Sequence, residues 1–217
     1  MKTFLSIGPG PGNGLATAER FAKEGFQVVL SARNAAKTQV LADQLTAKGY
    51  EANVRTVDAS DPSSVAALVA GVEMSFGGIE VVHYNAASMR KATITEQSPE
   101  TFNGDLAVNI GGALAAVQAV IPNMSERGSG SILLTGGGYS LKPNPDYLSL
   151  GIGKAGIRAM ALGLFESLAQ SGIHVATVTV AASVVPGSKE VDAVAELFWT
   201  LHSQPREKWT AEVKYPW

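Results

Sequence analysis

The chain has 217 residues, of which 46% are hydrophobic and 17% charged, and its net charge at neutral pH is −2. This length and composition predict one globular domain with a large buried core, spanning residues 1–217. Because the net charge is small, nothing favours nucleic acid or an anionic membrane as a partner. The chain contains no cysteine, which excludes disulfides, thiolate nucleophiles and thiolate metal sites.

Apolar runs of strand length alternate with helical patterns along the whole chain. The first run begins at residue 3 and leaves no room for a signal peptide, and no apolar run approaches the roughly 18 residues of a membrane helix. We therefore expect a cytoplasmic protein. The predicted strands cover residues 3–7, 27–31, 51–57, 79–84, 131–135, 174–180 and 211–215. The predicted helices cover residues 13–24, 36–48, 63–75, 101–127, 150–171 and 190–203.

Most of the predicted strands are continuous apolar runs without polar alternation, as expected when helices cover both faces of a parallel sheet. Repeated strand–helix units of this length predict a doubly wound fold with right-handed crossovers. No low-complexity linker and no block of charge divides the chain. The predicted fold class is therefore α/β, with a seven-stranded parallel sheet and helices on both faces, in a single domain.

The first predicted strand is followed by the sequence IGPGPGNG, where the first helix begins. Gly8, Gly12 and Gly14, with Asn13 between the last two, have the spacing of a turn whose backbone N–H groups approach a pyrophosphate at a helix N-terminus. A tight turn without a ligand could use the same glycines. The position between first strand and first helix, with a second strand about twenty residues later, favours dinucleotide binding in a Rossmann-like fold.

The second predicted strand ends in the sequence VVLSARN, where an NAD-binding protein usually has Asp or Glu for the ribose hydroxyls. Ala32 leaves room for a 2′-phosphate there, and the guanidinium of Arg33 can bind it through two parallel hydrogen bonds. A solvated arginine at a loop start is the other interpretation. A basic residue directly before Gly12 would be a second contact for the phosphate, but Pro11 stands there. Ala32 and Arg33 together favour NADP over NAD.

Small residues are concentrated in two of the predicted helices, residues 101–127 and 150–171. Glycine inside a helix costs about 1 kcal/mol relative to alanine, so a close approach of another backbone should offset it. That backbone belongs either to the same chain or to a second subunit, and these residues alone favour neither.

Over almost its whole length, the chain resembles the short-chain dehydrogenase/reductase family. The resemblance rests on the glycine turn, on an acidic residue after the third strand, on a turn after the fourth, on a mid-helix asparagine and on a lysine in the sequence GKAG. These residues, in order, are Gly8, Gly12, Gly14, Asp58, Asn85, Ala86, Asn109 and Lys154. The resemblance implies that Asp58, Asn85, Ala86 and Lys154 also bind cofactor, and that the protein is a homodimer or homotetramer.

In that family a hydride moves between C4 of the nicotinamide and a carbonyl or alcohol carbon. A tyrosine four residues before the lysine transfers the proton, and a serine thirteen residues earlier holds the substrate oxygen. Here these positions are Leu150 and Gly137, neither of which has a hydroxyl. Loss of a general acid typically costs about 10²–10⁴ in rate, and loss of an oxyanion donor about 10²–10³. The chain is thus an atypical member in which cofactor residues are present and substrate-contacting hydroxyls are missing.

Two tyrosines are candidates for a displaced proton donor. Tyr147 would share a face with Leu150 if the helix begins early, and Lys154 would then lower its pKa. Tyr139 would instead reach the space left open by Gly137, with Thr135 or Ser140 donating a hydrogen bond. Packing alone also accounts for either aromatic ring. We expect Tyr147, Lys154 and Asn109 to be the catalytic residues.

The segment after the sixth predicted strand, VAASVVPGSKEVDAV, leads almost directly into a helix. It lacks the substrate-covering segment common in the family, so water is poorly excluded unless a partner subunit covers the site. The three histidines are scattered without carboxylates at ligand spacing, so no metal site is expected. Two functions remain open: an NADP(H)-dependent oxidoreductase acting on a small carbonyl, alcohol or activated alkene, and a non-catalytic NADP-binding sensor or partner subunit.

Overall fold

The computed structural model describes residues 1–216, which form an α/β fold around one parallel sheet of seven strands. The predicted fold class is confirmed. Residue 217, the end of the predicted domain, lies outside the described part. The strand order is β3-β2-β1-β4-β5-β6-β7. The strands are β1 Thr3–Ile7, β2 Gln27–Ala32, β3 Ala52–Thr56, β4 Val81–Tyr84, β5 Gly130–Thr135, β6 Ile173–Val180 and β7 Glu212–Tyr215.

Helices cover both faces of the sheet. Helices α1, α2 and α7 pack on one face, and α3, α5 and α6 pack on the other. The helices are α1 Leu15–Lys23, α2 Ala35–Thr46, α3 Pro62–Phe76, α4 Pro99–Leu106, α5 Gly112–Arg127, α6 Leu148–Gln170 and α7 Lys189–Ser203. Short helical turns occur at Gly138–Ser140 and Arg206–Lys208.

The strands are continuous apolar runs because both of their faces are buried. In β1, Phe4 and Leu5 are both fully buried, yet they belong to separate clusters on opposite faces of the sheet. Phe4 stacks on Phe21 of α1 with ring centroids 4.5 Å apart. This alternation of side chains between two apolar layers is the expected geometry of a strand between helices.

Helix boundaries differ from the prediction by a few residues, and three of the differences bear on the site. Helix α1 begins at Leu15 instead of residue 13, because Gly10–Gly14 forms a wide turn with non-helical angles at Gly12. Helix α6 begins two residues earlier than predicted, at Leu148. The predicted helix 101–127 is α4 and α5 joined by a π-helical turn at Ala107–Gly111.

The small residues of the long helices are largely explained by packing within the chain. A Cβ added to Gly112 would overlap Ala59 and Tyr84, one at Gly153 would lie 3.1 Å from Cγ of Asn109, and one at Gly156 would lie 2.7 Å from Ile110. At Gly112, where the overlap is with the backbone of Ala59, only glycine fits. Gly163, by contrast, has no neighbour within 4 Å.

Two helical segments, Pro99–Arg127 and Leu148–Gln170, are long and apolar enough to cross a membrane by length and composition. The expectation that no apolar segment approaches that length was wrong for them. Both segments contribute buried side chains to the core, among them Val120 and Ile157. Core helices of soluble proteins satisfy the same criterion, so length and composition alone do not indicate a membrane protein.

Candidate active site

Two adjoining cavities lie where the strand order reverses, beside the carboxyl ends of β1 and β4. Ligands of doubly wound proteins bind at this position, because the loops after the two strands diverge there. The larger cavity has a volume of about 570 Å³ and the smaller about 330 Å³. Four residues line both of them: Gly10, Asn85, Ala87 and Met89. We call them the substrate-side cavity and the adenosine-side cavity.

The glycine turn between the cavities is required by close packing at two of its positions. Gly8 has φ 73°, and a Cβ there would lie 2.6 Å from the Cβ of Ala86. A Cβ at Gly14 would overlap the carbonyl of Pro9. Gly12 differs, since a Cβ there would meet only Pro186, at 3.9 Å, although the residue lines the substrate-side cavity. The absent side chain at Gly12 therefore leaves space for a ligand.

Asn85 holds this turn from the end of β4. Its Nδ2 donates a hydrogen bond to the carbonyl of Gly8 at 2.7 Å, and its Oδ1 accepts one from the hydroxyl of Thr135 at 3.0 Å. Ala86, the next residue, packs on Gly8. The two residues predicted from the fourth-strand turn thus contact the glycine turn directly.

Asn13 places an unpaired acceptor next to the substrate-side cavity. Its Oδ1 is buried and has no hydrogen-bond partner among the described residues, while the residue lines that cavity. A buried polar atom without a partner is costly unless a ligand or water satisfies it. This atom, together with the open space at Gly12, fits a ligand that carries N–H or O–H donors, as a dinucleotide does.

Arg33 and Asp58 line the adenosine-side cavity, together with Ala32. Arg33 is exposed and makes no ion pair within residues 1–216. Asp58 accepts hydrogen bonds from the backbone and hydroxyl of Ser60, which lower its pKa, and the nearby charge of Arg33 lowers the pKa further. An ionised acceptor and an available guanidinium therefore lie at one end of the site.

Lys154 lines the substrate-side cavity from α6. Its Nζ donates a hydrogen bond to the carbonyl of Thr135 at 2.7 Å, and burial lowers the pKa of the ammonium to about 8. An ammonium has three donors, so this single bond leaves two for a ligand. The position fits the ribose-binding role that the family resemblance implies.

Leu150 and Gly137 line the same cavity, and no hydroxyl replaces the expected pair at these two positions. Leu150 lies one helical turn before Lys154. Gly137 is extended, and a Cβ there would lie 3.1 Å from Cγ and 3.4 Å from Cδ of Lys154. A side chain at position 137 would contact the stem of Lys154, while Tyr139 lines the same cavity. The hypothesis that Tyr139 acts in the space beside Gly137 stays a prediction.

Tyr139, and not Tyr147, lines the cavity. Tyr147 precedes the first turn of α6 with non-helical angles (φ −136°, ψ 41°), so it does not share a helical face with Leu150. The backbone at Asp146 is held by a hydrogen bond from Ala92 at 2.9 Å. The ring of Tyr147 stacks on Tyr139, with centroids 5.6 Å apart. Tyr147 thus packs on Tyr139 and does not itself line the cavity.

Asn109 is buried between the turn after β4 and helix α6. It accepts a hydrogen bond from the backbone N–H of Ser88 at 2.7 Å and donates one to the carbonyl of the same residue at 3.2 Å. It does not line either cavity. Its side chain therefore positions the segment after β4, and its predicted place among the catalytic residues stays a prediction.

Asp105 is a buried carboxylate that the sequence analysis did not single out. It accepts hydrogen bonds from Arg90 at 3.0 Å, from Gln97 at 2.8 Å and from Ser149 of α6 at 2.9 Å, and another from Ser88. Burial by itself would raise its pKa, but these bonds outweigh that effect and hold the pKa below its ordinary value. The available signal was an acidic residue directly before the long apolar run of the predicted helix 101–127.

The segment after β6 forms one wall of the substrate-side cavity through residues 180–184. Only residues 181–188 separate β6 from α7, and they contain no helix or strand. The expected shortness of this connection is confirmed. The cavity wall is thus a short loop in place of a longer covering segment.

Comparison with known proteins agrees with this geometry. The family model described as short chain dehydrogenase matches residues 2–194. The chain is 30% identical over 178 residues to an uncharacterized oxidoreductase of Staphylococcus aureus strain MW2, which covers 82% of this chain and 76% of that protein. It is 32% identical over 187 residues to glucose 1-dehydrogenase of Gluconobacter oxydans, covering 85% and 70% respectively. The protein belongs to the short-chain dehydrogenase family of oxidoreductases.

Solved structures show the same fold. A short-chain dehydrogenase from Rhodopseudomonas palustris superposes with a TM-score of 0.89 at 26% identity, covering 99% of this chain and 98% of that one. A metagenomic short-chain oxidoreductase in complex with NADP gives a TM-score of 0.91 at 24% identity, covering 99% and 96%. These similarities extend over the whole described architecture.

Proposed function

We propose that the protein is a cytoplasmic, NADP(H)-dependent oxidoreductase acting on a small carbonyl, alcohol or activated alkene, with a displaced proton donor. The observation that carries this proposal is the pair of adjoining cavities, which extends from Arg33 past the glycine turn to Lys154. The cavities run along the sheet edge where doubly wound proteins bind dinucleotides. The unpaired Oδ1 of Asn13 and the free donors of Lys154 would both find partners on such a ligand.

The preference for NADP rests on the adenosine-side cavity. Arg33 lines it beside the small residue Ala32, which stands at the end of β2, where a carboxylate would repel a 2′-phosphate. The metagenomic short-chain oxidoreductase of the same fold was crystallised with NADP, which agrees with this choice. Replacing Arg33 with Ala should raise the Kd for NADPH about 10- to 100-fold, because a charge-assisted bidentate contact is lost. The Kd for NADH should stay within about twofold in the same titration, and Lys37→Ala provides a control for loss of an exposed cation nearby.

When bound, a reduced nicotinamide supplies the hydride. Lys154 would bind its ribose through the two donors that Thr135 does not use. Leu150 can hold the substrate only by apolar contact, since it has no proton to give. Among the tyrosines, Tyr139 reaches the cavity lining, so we assign the displaced donor to Tyr139 and a supporting, stacked role to Tyr147.

The second candidate function is a non-catalytic NADP-binding sensor or partner subunit. Three features favour it: the apolar Leu150, the lack of a side chain at Gly137, and the short connection between β6 and α7. Such a protein would keep the cofactor contacts and lose the chemistry. A homodimer or homotetramer is compatible with both functions, and exposed apolar residues on α5 and α6 (Leu114, Ile152 and Leu162) are available for subunit contact.

Two measurements separate these functions. Fluorescence titration with NADPH and NADH establishes binding, and loss of nicotinamide absorbance with a panel of aldehydes, ketones and enones establishes turnover. For the oxidoreductase, we expect turnover in which Tyr139→Phe lowers kcat at least about 100-fold. Tyr147→Phe should lower it less than about fivefold. Tight NADPH binding without turnover on any acceptor would select the sensor, and failure to bind either nucleotide would contradict both functions.

A further inference from the structure

A chain of buried polar groups crosses three neighbouring strands beneath the cofactor site. His83 of β4 is fully buried, with its Nδ1 at 3.5 Å from the hydroxyl of Ser6 in β1 and its Nε2 at 3.0 Å from the hydroxyl of Thr135 in β5. The same hydroxyl of Thr135 bonds to Asn85, which bonds to Gly8. This series of hydrogen bonds therefore ends at the glycine turn.

The direction of each hydrogen bond in this chain follows from its last member. The carbonyl of Gly8 can only accept, so the Nδ2 of Asn85 must face it and the Oδ1 must face Thr135. Thr135 has one hydroxyl proton, which it donates to that Oδ1. His83 must then donate to Thr135 through Nε2–H, which leaves Nδ1 as an acceptor for the hydroxyl of Ser6. One tautomer of His83 satisfies every group.

Thr135 also connects the two ends of the cofactor site. Its hydroxyl serves the chain that reaches the glycine turn, while its backbone carbonyl accepts the hydrogen bond from Nζ of Lys154 at 2.7 Å. Any rotation of the Thr135 side chain would withdraw the hydroxyl from Asn85. The imidazole of His83 opposes that rotation, because the Nε2–H bond is satisfied only in the observed geometry.

We infer that His83 is a positioning residue for the dinucleotide, which acts through Thr135 and Asn85 to fix the conformation of the glycine turn. This inference rests on the proposed cofactor site. It assigns a ligand-related role to a histidine that lines neither cavity itself. From the sequence, no metal site was expected at the three histidines, and His83 was expected to be a hydrogen-bonded structural histidine.

The surroundings of His83 keep its ring neutral and fixed. Phe198 of α7 packs on it with centroids 4.7 Å apart, and Phe4 of β1 lies 5.9 Å away. Burial, followed by the charge of Lys154, lowers the pKa of His83 to about 3, and no carboxylate is bonded to it. A neutral ring in a single tautomer is what the hydrogen-bond chain requires.

The test compares variants in their affinity for NADPH and in hydrogen exchange at Gly10–Gly14 measured without nucleotide. His83→Leu should raise the Kd for NADPH about tenfold and increase exchange in the turn. His83→Gln should stay within about threefold of the wild type, because its amide can donate to Thr135 and accept from Ser6. In a Thr135→Val background, His83→Leu should add less than about twofold, since residues acting through one another are not additive. His202→Leu, at a partly buried histidine, should leave the Kd unchanged while reporting any general loss of stability.

Each other outcome contradicts the inference in a distinct way. Unchanged affinity and exchange in a folded His83→Leu protein, or additive effects in the double variant, would overturn it. Imidazole ¹⁵N shifts that place the proton of His83 on Nδ1 would also overturn it. If the wild type binds neither nucleotide, the proposed function fails, and the exchange measurement alone decides whether His83 holds the turn.

Discussion

The adenosine-side and substrate-side cavities of this protein differ in how they are built. At the glycine turn, packing leaves little freedom, because Gly8 contacts Ala86 and Gly14 contacts Pro9. In the substrate-side cavity, Leu150 and Gly137 stand where the family resemblance implies hydroxyls. A glycine turn constrained by packing thus lies beside a cavity that lacks the hydroxyls implied by the family resemblance, so substitutions in the two places can test cofactor binding and proton transfer separately.

The largest effect should come from restoring a hydroxyl to the substrate-side cavity. In a Tyr139→Phe background, which lacks the proposed donor, Leu150→Tyr places a phenol one turn before Lys154. We expect it to increase ketone reduction by about 10²–10⁴ in kcat/KM, the usual contribution of a general acid. The measurement is NADPH oxidation with a panel of ketones, and Leu150→Phe is the control for ring size. Equal activity of the Tyr and Phe variants would show that the missing hydroxyl at position 150 does not limit the rate of ketone reduction.

Adding Gly137→Ser to Leu150→Tyr should help less than the family pattern implies. A Cβ at position 137 would lie 3.1 Å from Cγ of Lys154, so the lysine stem has to move before the serine fits. The observed conformation of Lys154 therefore leaves room for glycine at position 137 and crowds any larger residue there. A further gain of more than about tenfold from the serine would mean that Lys154 adapts without cost.

The second prediction tests which glycines of the turn are needed for ligand binding and which are needed for folding. Gly12→Val should raise the Kd for NADPH at least about 100-fold, since its side chain would occupy cavity space that backbone approach to a pyrophosphate requires. Thermal stability should change little, because the nearest atom to an added Cβ is 3.9 Å away. Gly14→Ala is the contrast, since its Cβ would overlap the carbonyl of Pro9 and should reduce stability together with affinity. Retained affinity in Gly12→Val would place the pyrophosphate elsewhere.

The difference between the glycine turn and the substrate-side cavity also explains how much the sequence could predict. The alternation of apolar strands and helices was sufficient for the sheet, and the spacing of Gly8, Gly12 and Gly14 was sufficient for the turn. The placement of Tyr139 at the cavity, with Tyr147 stacked on it, was not predictable to the same degree, because it depends on non-helical angles at Tyr147 and on contacts between distant residues. Such contacts between residues distant in sequence leave no periodic signal.

The third prediction concerns the charge of Lys154. Burial lowers its pKa in the folded protein to about 8, from 10.5 for an unperturbed lysine. Below pH 8 both states are protonated, and the folded state bears the full cost of the buried charge. Between pH 8 and 10.5 the unfolded state binds more protons, so the free energy of unfolding should rise with pH, by an amount of the order of 3 kcal/mol in total. Chemical denaturation at pH 7.5 to 9.5 should show this rise in the wild type and its absence in Lys154→Met; parallel curves for the two proteins would contradict it.

The smallest effect should be found at Asn13, where affinity and stability are expected to change in opposite directions. The buried Oδ1 has no partner within the described residues, so Asn13→Ala should stabilise the nucleotide-free protein by about 1 kcal/mol. The same substitution should raise the Kd for NADPH about tenfold, because the ligand loses an acceptor. Thermal unfolding with and without NADPH measures both changes. If Asn13→Ala lowers stability without nucleotide, the oxygen has a partner in the free protein, such as a bound water, and Asn13 then contributes to the fold before any ligand binds.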